Sequence, residues 1–140
     1  MPHVPPLSAL DVLEARGFIA QCTDRSALDK VLKDGRVRFY VGFDPTADSL
    51  HVGSLVGLIF LRRLQQAGHK HIAVVGGATG MIGDPSGKTE MRKMLTEKQL
   101  EDNVGKIKPQ MERFLDFSGD SELINNSEGL RNLNYSDFLG

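Results

Sequence analysis

RVRFYVGFDPTADSLHVGSLVGLIFLRRLQQAGHKHIAVV, residues 36–75, contains the elements that decide the fold. Residues 36–43 alternate polar and apolar side chains and then become mostly apolar, which predicts a strand. Residues 50–67 predict a long helix closed by Gly68, and residues 71–75 predict a second strand. A strand, a helix and a strand within about 40 residues imply a right-handed crossover. The fold class is therefore α/β, with a parallel sheet and flanking helices.

Helices are also predicted on both sides of this unit, and capping residues mark their starts. In chain order, the candidate caps of the four helices are Ser8, Asp24 or Ser26, Asp48 or Ser49, and Thr96 with Gln99. The first helix spans residues 8–17. The second ends before Gly35, where a left-handed residue is expected. Residues 1–35 are thus expected to form a helical segment ahead of the α/β domain.

The last predicted helix spans residues 96–117 and has its apolar side chains at helical spacing. Pro109 lies inside it and is expected to kink it. Residues 122–124 follow as a short predicted strand. The α/β domain is therefore expected to extend from residue 36 to residue 140.

Composition and charge place the chain among ordinary globular proteins. It has 140 residues, of which 40% are hydrophobic and 25% charged, and its net charge of -1 gives no global basic field for nucleic acid. Cys22 is the only cysteine, which suits a reducing compartment. The first residues lack a signal-peptide pattern, and the longest apolar run, residues 55–61, is far too short to span a bilayer. We expect a cytoplasmic protein with no membrane partner.

VVGGATGMIGDPSGKT, residues 74–89, is a glycine-rich segment that begins in the second predicted strand. A phosphate-binding P-loop needs G-x-x-x-x-G-K-[ST], but Ile82 stands where the first glycine belongs and Gly83 comes one position late. Residues 77–83 also match a dinucleotide fingerprint of the short-chain dehydrogenase type. The Asp-Pro-Ser-Gly at residues 84–87, however, breaks the helix that a pyrophosphate site needs. An NAD(P)-binding oxidoreductase nevertheless stays open as an alternative function.

A third nucleotide-binding interpretation comes from the exit of the first strand, YVGFDPTADSLHVGSL, residues 40–55. His51 and Ser54 share a helix face in the first turn of the predicted helix, where unpaired N–H groups and the helix dipole favour anions. Gly53 has no side chain, so a flat base or a ribose can rest on the backbone there. Such a strand–turn–helix site can hold ATP without a P-loop.

The two segments together resemble the tyrosyl-tRNA synthetase family of class I aminoacyl-tRNA synthetases. YVGFDPTADSLHVGSL and GGATGMIGDPSGK, residues 76–88, match the family pattern in order and spacing, and LRRLQQAGH between them also fits. The resemblance is strong over residues 36–92. It implies a Rossmann-like parallel sheet with flanking helices, incomplete relative to the full catalytic domain.

The resemblance implies a tyrosine–tRNA ligase. Such an enzyme activates tyrosine with ATP to tyrosyl adenylate and transfers the tyrosyl group to tRNA(Tyr). ATP with Mg²⁺ is its substrate, no tightly bound cofactor is expected, and full-length relatives are homodimers. Catalysis is expected from positioning and from stabilisation of the charge that develops on the phosphates.

The family pattern also implies roles for individual residues of this sequence. Those implied to bind tyrosine are Tyr40, Thr79 and Asp84. Those implied to bind ATP are Gly42, Asp44, His51, Gly53 and Ser54. Those implied to act on the transferred phosphates are Thr46, His51, Lys88 and Arg92. Tyr40 would hydrogen-bond the phenol of tyrosine, Asp84 would accept its ammonium group, and no residue is assigned to a metal.

The chain departs from the family pattern in two respects. Ser54 stands where the His-x-Gly-His signature has its second histidine, although a serine can still donate and accept a hydrogen bond. The lysine-rich KMSKS signature does not occur. We therefore expect the N-terminal part of a full synthetase, and a non-catalytic fragment with exposed apolar surface is a further alternative.

Overall fold

The structure is a computed structural model that describes residues 8–77, 96–119 and 121–127. Its helices and strands, in chain order, are α1 (Ala9–Ala15), α2 (Arg25–Asp34), β1 (Arg38–Phe43), α3 (Val52–Gln66), β2 (Lys70–Val75), α4 (Glu97–Met111) and β3 (Glu122–Asn125). The predicted alternation of strands and helices is confirmed.

The three strands form one parallel sheet in the order β1-β2-β3. The β1–β2 register runs from Arg38 opposite Lys70 to Phe43 opposite Val75. The β2–β3 register ends with Val75 opposite Asn125. All three strands therefore finish at the same edge of the sheet, which we call the carboxyl edge.

The hydrophobic core lies between one face of the sheet and the helices α3 and α4. Its buried side chains are Phe43, Leu58, Leu61, Ala73, Val75, Ile107, Met111 and Leu115. Both crossovers step in the same direction along the sheet, and right-handed connections then place both helices on one face. The opposite face carries Tyr40, Ile72, Val74 and Ile124, because alternate residues of a strand point to opposite sides.

Three of the predicted helix starts are confirmed. Ser8 accepts a hydrogen bond from the Asp11 N–H of α1 at 3.1 Å and forms a capping box with that residue. Asp24 caps α2 by accepting from a backbone N–H of its first turn. Thr96 and Gln99 form the predicted capping box of α4. Each of these caps uses neighbours within three residues, so local sequence is sufficient to predict them.

Other local predictions were wrong. The N-cap of α3 is His51 rather than Asp48 or Ser49, and its side chain makes no capping hydrogen bond. Gly35 has a φ of 175°, which is extended backbone and needs no glycine.

The end of α4 also differs from its prediction, because the helix stops at Met111 instead of continuing to residue 117. Pro109 lies in its last turn. The side chain of Gln65 in α3 donates to the Asp116 carbonyl at 2.6 Å and accepts from the Asp116 N–H at 3.2 Å. Since both backbone groups of Asp116 are bonded to another helix, they are not available to continue a helix through residue 116.

His71 is completely buried in β2, and neither ring nitrogen has a hydrogen-bond partner among the described residues. The ring contacts Phe117 edge-on, with centroids 5.2 Å apart. Burial lowers the pKa of His71, and the Asp116 carboxylate partly opposes that shift. Burial, together with Arg36, lowers the pKa of His69 as well. The folded chain therefore holds both imidazoles neutral at a pH where the unfolded chain already protonates them.

We predict that the chain loses stability as the pH falls. A folded pKa below the unfolded value of about 6.5 means that the unfolded chain takes up protons first, so the stabilisation is complete only above that pH and is lost below it. Urea unfolding between about pH 7.5 and pH 5 measures this slope. The variant His71→Leu should have a shallower slope. Equal slopes in the two chains would contradict the assignment to His71.

Candidate active site at the carboxyl edge

The carboxyl edge brings together the exits of all three strands. The Gly76 N–H, directly after β2, donates to the Phe43 carbonyl at the end of β1 at 2.9 Å. Asn125 is the last residue of β3. In parallel α/β sheets ligands bind outside the carboxyl ends of the strands. The geometry of the fold alone therefore makes this edge the candidate site.

The turn between β1 and α3, residues 44–50, is held against α4 by side-chain hydrogen bonds. Asn103 donates to the Pro45 carbonyl at 2.9 Å. Gln110 accepts from the Leu50 N–H at 3.0 Å. Pro45 is fully buried by this packing. The turn is thus anchored near its beginning and at its end.

Two predicted site residues occupy the accessible part of this turn. The side chains of Asp44 and Thr46 are exposed on either side of the buried Pro45. Both follow the end of β1 closely, so they lie at the carboxyl edge as their predicted roles require. Exposed carboxylate and hydroxyl groups at this position can reach a ligand in solution.

The first turn of α3 forms the next part of the site. His51 is the N-cap, and its carbonyl accepts from the Ser54 N–H at 2.9 Å. Because the side chain of His51 does not cap the helix, the first-turn N–H groups keep the partial positive charge that attracts phosphates. A Cβ placed on Gly53 would lie 2.9 Å from Nδ1 and Cε1 of His51. The imidazole therefore rests beside Gly53, where the sequence predicts contact with a flat base or a ribose.

Tyr40 and Gly42 share the face of β1 that points away from the core. The side chain of Tyr40 is 74% exposed. A Cβ placed on Gly42 would meet no atom of the described residues within 4 Å. As far as those residues extend, the sheet surface beside Tyr40 is therefore open enough to accept an aromatic ligand.

The exit of β2 is packed much more tightly. Gly76 and Gly77 are buried, and a Cβ placed on Gly77 would lie 2.3 Å from Oδ1 of Asn125. The same oxygen accepts from the Ser127 N–H at 3.1 Å. Asn125 was not predicted from the sequence as a partner of the glycine segment. The available signal was a polar residue at the end of the short predicted strand.

The described part of the chain therefore brings most of the predicted site residues to one edge of the sheet. These residues are Gly42, Asp44, Thr46, His51, Gly53 and Ser54, with Tyr40 on the adjacent sheet face. The other four predicted residues, Thr79, Asp84, Lys88 and Arg92, lie outside the described residues. Their roles stay predictions.

The described residues offer neither a metal-binding cluster nor a membrane-spanning helix. No group of three or more His, Cys, Asp or Glu side chains is placed to hold a metal ion within residues 8–77, 96–119 and 121–127. None of the helices in those ranges has the length and apolar character needed to cross a membrane. The single cysteine, Cys22, is exposed.

Comparison with protein families gives a match over most of the chain. Residues 32–140 match the model of a family described as class I tRNA synthetases, W and Y. The match includes every residue singled out above as a candidate for the site.

Individual relatives agree with this family match. The chain is 56% identical over 133 residues to a tyrosine–tRNA ligase of Clostridium botulinum, covering 94% of this chain and 33% of the relative. It is 51% identical over 130 residues to one from Fusobacterium nucleatum, covering 92% of this chain and 32% of the relative. The chain thus spans about a third of the length of the curated relatives it matches.

Solved structures resemble the chain over nearly all of its length. A C-terminally truncated mitochondrial tyrosyl-tRNA synthetase of Coccidioides posadasii superposes with a TM-score of 0.76 at 29% identity, covering 96% of this chain and 39% of that one. The corresponding Aspergillus nidulans structure gives a TM-score of 0.77 at 28% identity, covering 94% and 41%. The predicted Rossmann-like architecture, with only part of the full domain present, is therefore confirmed.

Proposed function

The chain belongs to the class I tRNA synthetase family whose model it matches, and we propose that it supplies the first part of the active site of a tyrosine–tRNA ligase. In this proposal residues 36–140 form the beginning of the catalytic domain, and residues 1–35 form a helical segment ahead of it. The complete enzyme joins tyrosine to ATP, releases pyrophosphate, and passes the tyrosyl group to tRNA(Tyr). This assignment takes the place of the dehydrogenase alternative.

One observation carries the proposal more than any other. The exit of β1, with the open backbone at Gly42, lies directly before a helix whose N-cap side chain leaves the first turn uncapped. Such a helix start attracts phosphates through its N–H groups and dipole. The exposed Tyr40 on the adjacent sheet face offers a hydroxyl to a second, aromatic ligand. The two halves of the site thus suit the two small substrates of the reaction.

We assign the chemistry of the site as follows. ATP places its phosphates at the start of α3, near Thr46 and His51. The carboxylate of tyrosine attacks the α-phosphorus, and pyrophosphate leaves. Thr46 and His51 stabilise the negative charge that grows on the departing phosphates, together with Lys88 and Arg92. Holding the carboxylate and the phosphorus in line supplies the remainder of the rate enhancement.

Tyrosine specificity is proposed to depend on Tyr40 and Asp84. Tyr40 hydrogen-bonds the substrate phenol, and Asp84 pairs with its ammonium group, with Thr79 lining the same pocket. A site built to hydrogen-bond a hydroxyl rejects the analogue that lacks it, because its own polar group is then left unpaired. The complete enzyme is therefore predicted to discriminate against phenylalanine.

Several finer points belong to the same proposal. Mg²⁺ arrives with ATP, since the family implies ATP as a substrate. The full-length enzyme is a homodimer, as the resemblance implies, and we place it in the cytoplasm. Ser54, in place of a second signature histidine, contributes a hydroxyl near the ATP.

Calorimetric titration tests the proposal, with a non-hydrolysable tyrosyl-adenylate analogue as ligand and NADP as competitor. We expect saturable binding of the analogue, abolished in Asp84→Ala and weakened in His51→Ala. Binding of NADP alone would refute the synthetase assignment. If neither ligand binds, a chimera in which this chain replaces the matching residues of the Clostridium botulinum relative decides the question. Tyrosine-dependent exchange of pyrophosphate with ATP in that chimera would support the proposal, and its loss would contradict it.

Tyr40→Phe is predicted to weaken binding of the analogue by about two- to tenfold, the effect of losing one hydrogen bond. The variant keeps the ring and removes only the hydroxyl, so the sheet surface stays the same. Because the side chain is mostly exposed, urea unfolding should give the same free energy as for the unchanged chain. An unchanged affinity would show that the hydroxyl does not contact the ligand.

A further inference from the structure

Three side chains of α4 reach across to the turn at residues 44–50. Asn103, Lys106 and Gln110 are spaced three and four residues apart, so they share one face of the helix. That face also meets the core through Ile107 and Met111. The polar groups that contact the turn are therefore carried on a helix that is fixed by apolar packing.

Gln110 makes the most extensive contact with the turn. Its Oε1 accepts from the Leu50 N–H at 3.0 Å, and its Nε2 donates to the Asp48 carbonyl at 3.0 Å. Nε2 also donates to the Lys106 carbonyl within α4 at 2.9 Å. One amide thus bonds the backbone at two points of the turn, on both sides of Ser49.

Asn103 and Lys106 extend this contact toward the start of the turn. Asn103 donates to the Pro45 carbonyl at 2.9 Å, and the Lys106 ammonium lies 3.6 Å from the Asp48 carboxylate. Both Lys106 and Asp48 are largely exposed, so this ion pair is worth little. The two amides, by contrast, are partly buried and bond backbone groups.

The turn has little internal structure of its own. Among residues 44–50, all of which the structure describes, no backbone N–H donates to a backbone carbonyl of the same segment. Among the described residues, its conformation is supported by the burial of Pro45, the packing of Leu50 against the core and the hydrogen bonds from the two amides of α4. A turn held in this way can be changed by removing a contact nearly 60 residues away in sequence.

We infer that Asn103 and Gln110 are positioning residues for the phosphate end of the site. They fix the backbone of the turn. The conformation of the turn then determines where Thr46, His51 and the first-turn N–H groups of α3 lie. Neither amide needs to touch a substrate. The inference rests on the proposed function only for the identity of the ligand, since the contacts themselves involve the chain alone.

The alternative is that the two amides only add general stability to the packing of α4. The two explanations differ in what Gln110→Glu should do. A glutamate carboxylate still accepts from the Leu50 N–H, but it cannot donate to the Asp48 carbonyl and it adds a negative charge beside the Asp48 carboxylate. If the amides position the turn, Gln110→Glu should keep the contact at the Leu50 N–H and lose the one at the Asp48 carbonyl. If they only stabilise the packing of α4, the variant should affect both contacts alike.

Amide hydrogen exchange by NMR tests the first part of the inference on the chain itself. In Gln110→Ala we expect the Leu50 amide to exchange about five- to tenfold faster, the effect of losing one hydrogen bond. In Gln110→Glu the Leu50 amide should stay protected, while the resonances of Thr46 and His51 shift. Asp102→Ala, on the exposed side of α4, serves as the matched control and should change neither. Unchanged exchange at Leu50 in Gln110→Ala would overturn the inference.

Binding of the tyrosyl-adenylate analogue tests the second part. We expect Asn103→Ala and Gln110→Ala each to bind it about five- to tenfold more weakly than Asp102→Ala does. Faster exchange at Leu50 with unchanged affinity would show that the amides hold the turn but do not position the site, which also overturns the inference. If the unchanged chain does not bind the analogue, both comparisons are made in the chimera. If the unchanged chimera does not bind the analogue, the proposed function is contradicted. If it does bind, weaker binding by its Asn103→Ala and Gln110→Ala variants supports the inference, and binding equal to that of Asp102→Ala overturns it.

Discussion

Gly77→Ala is expected to destabilise the chain by about 1–3 kcal/mol, the usual cost of adding a methyl group to a closely packed interior. The added Cβ would lie 2.3 Å from Oδ1 and 3.1 Å from Cγ of Asn125. Gly77 itself is buried, so the methyl group has no solvent-filled space to enter. Asn125 must therefore move, and its Oδ1 then loses the hydrogen bond from the Ser127 N–H. Ser127 is buried as well, which adds the cost of an unsatisfied N–H group.

Urea unfolding at neutral pH measures this effect. Gly105→Ala is the matched control, because Gly105 lies inside α4 and a Cβ there meets no atom of the described part of the chain within 4 Å. That control should gain about 0.5–1 kcal/mol, since alanine is favoured over glycine within a helix. Opposite signs for the two substitutions would confirm that the close approach of Asn125, and not glycine replacement in general, decides the result. A Gly77→Ala chain as stable as the original would show that the β3 exit moves freely.

The same contact explains why the glycine segment could be misassigned from sequence. Glycines directly after a strand are typical of dinucleotide sites, where the backbone approaches a pyrophosphate. Here the close approach at Gly77 is made by the side chain of Asn125 from the neighbouring strand. The pattern of glycines was therefore informative about packing, but it did not identify the atom that packs there.

Local patterns predicted the elements well and their ends less well. The caps at Ser8, Asp24 and Thr96 use neighbours three residues away, and all three are confirmed. The segments just before α3 and just after α4 are held instead by Gln110 and Gln65, which bond backbone groups 51 to 62 residues away. Such long-range bonds leave no periodic signal in the sequence.

The candidate site shows the same division between local and long-range information. Tyr40, Thr46 and His51 were singled out from one continuous segment, and the structure places that segment at the carboxyl edge of the sheet. Asn103 and Gln110, which hold the turn, were not singled out because polar residues on a helix usually face solvent. The sequence therefore predicts candidate ligand contacts, but it did not single out the residues that hold them in place.

Gly53→Ala is expected to weaken binding of the tyrosyl-adenylate analogue at least tenfold, or about 1.4 kcal/mol, without loss of stability. The new Cβ would lie 2.9 Å from two ring atoms of His51, so the imidazole must leave its position. Its ring is the end of an exposed side chain and can move at little cost to the fold. The methyl group would then occupy the surface where we propose that the nucleotide rests. Both changes act against the ligand, while alanine in the first turn of α3 favours the helix.

This combination separates a binding effect from an unfolding effect. Gly105→Ala provides the control, since it makes the same chemical change in another helix and should leave the affinity unchanged. Titration by calorimetry gives the affinity, urea unfolding gives the stability, and the NMR signals of the His51 ring report its displacement. A Gly53→Ala chain that binds as tightly as the original, with the His51 signals shifted, would show that neither the ring position nor the open backbone at Gly53 matters to the ligand. Reduced affinity with undiminished stability is the result that ties this glycine to the nucleotide rather than to the fold.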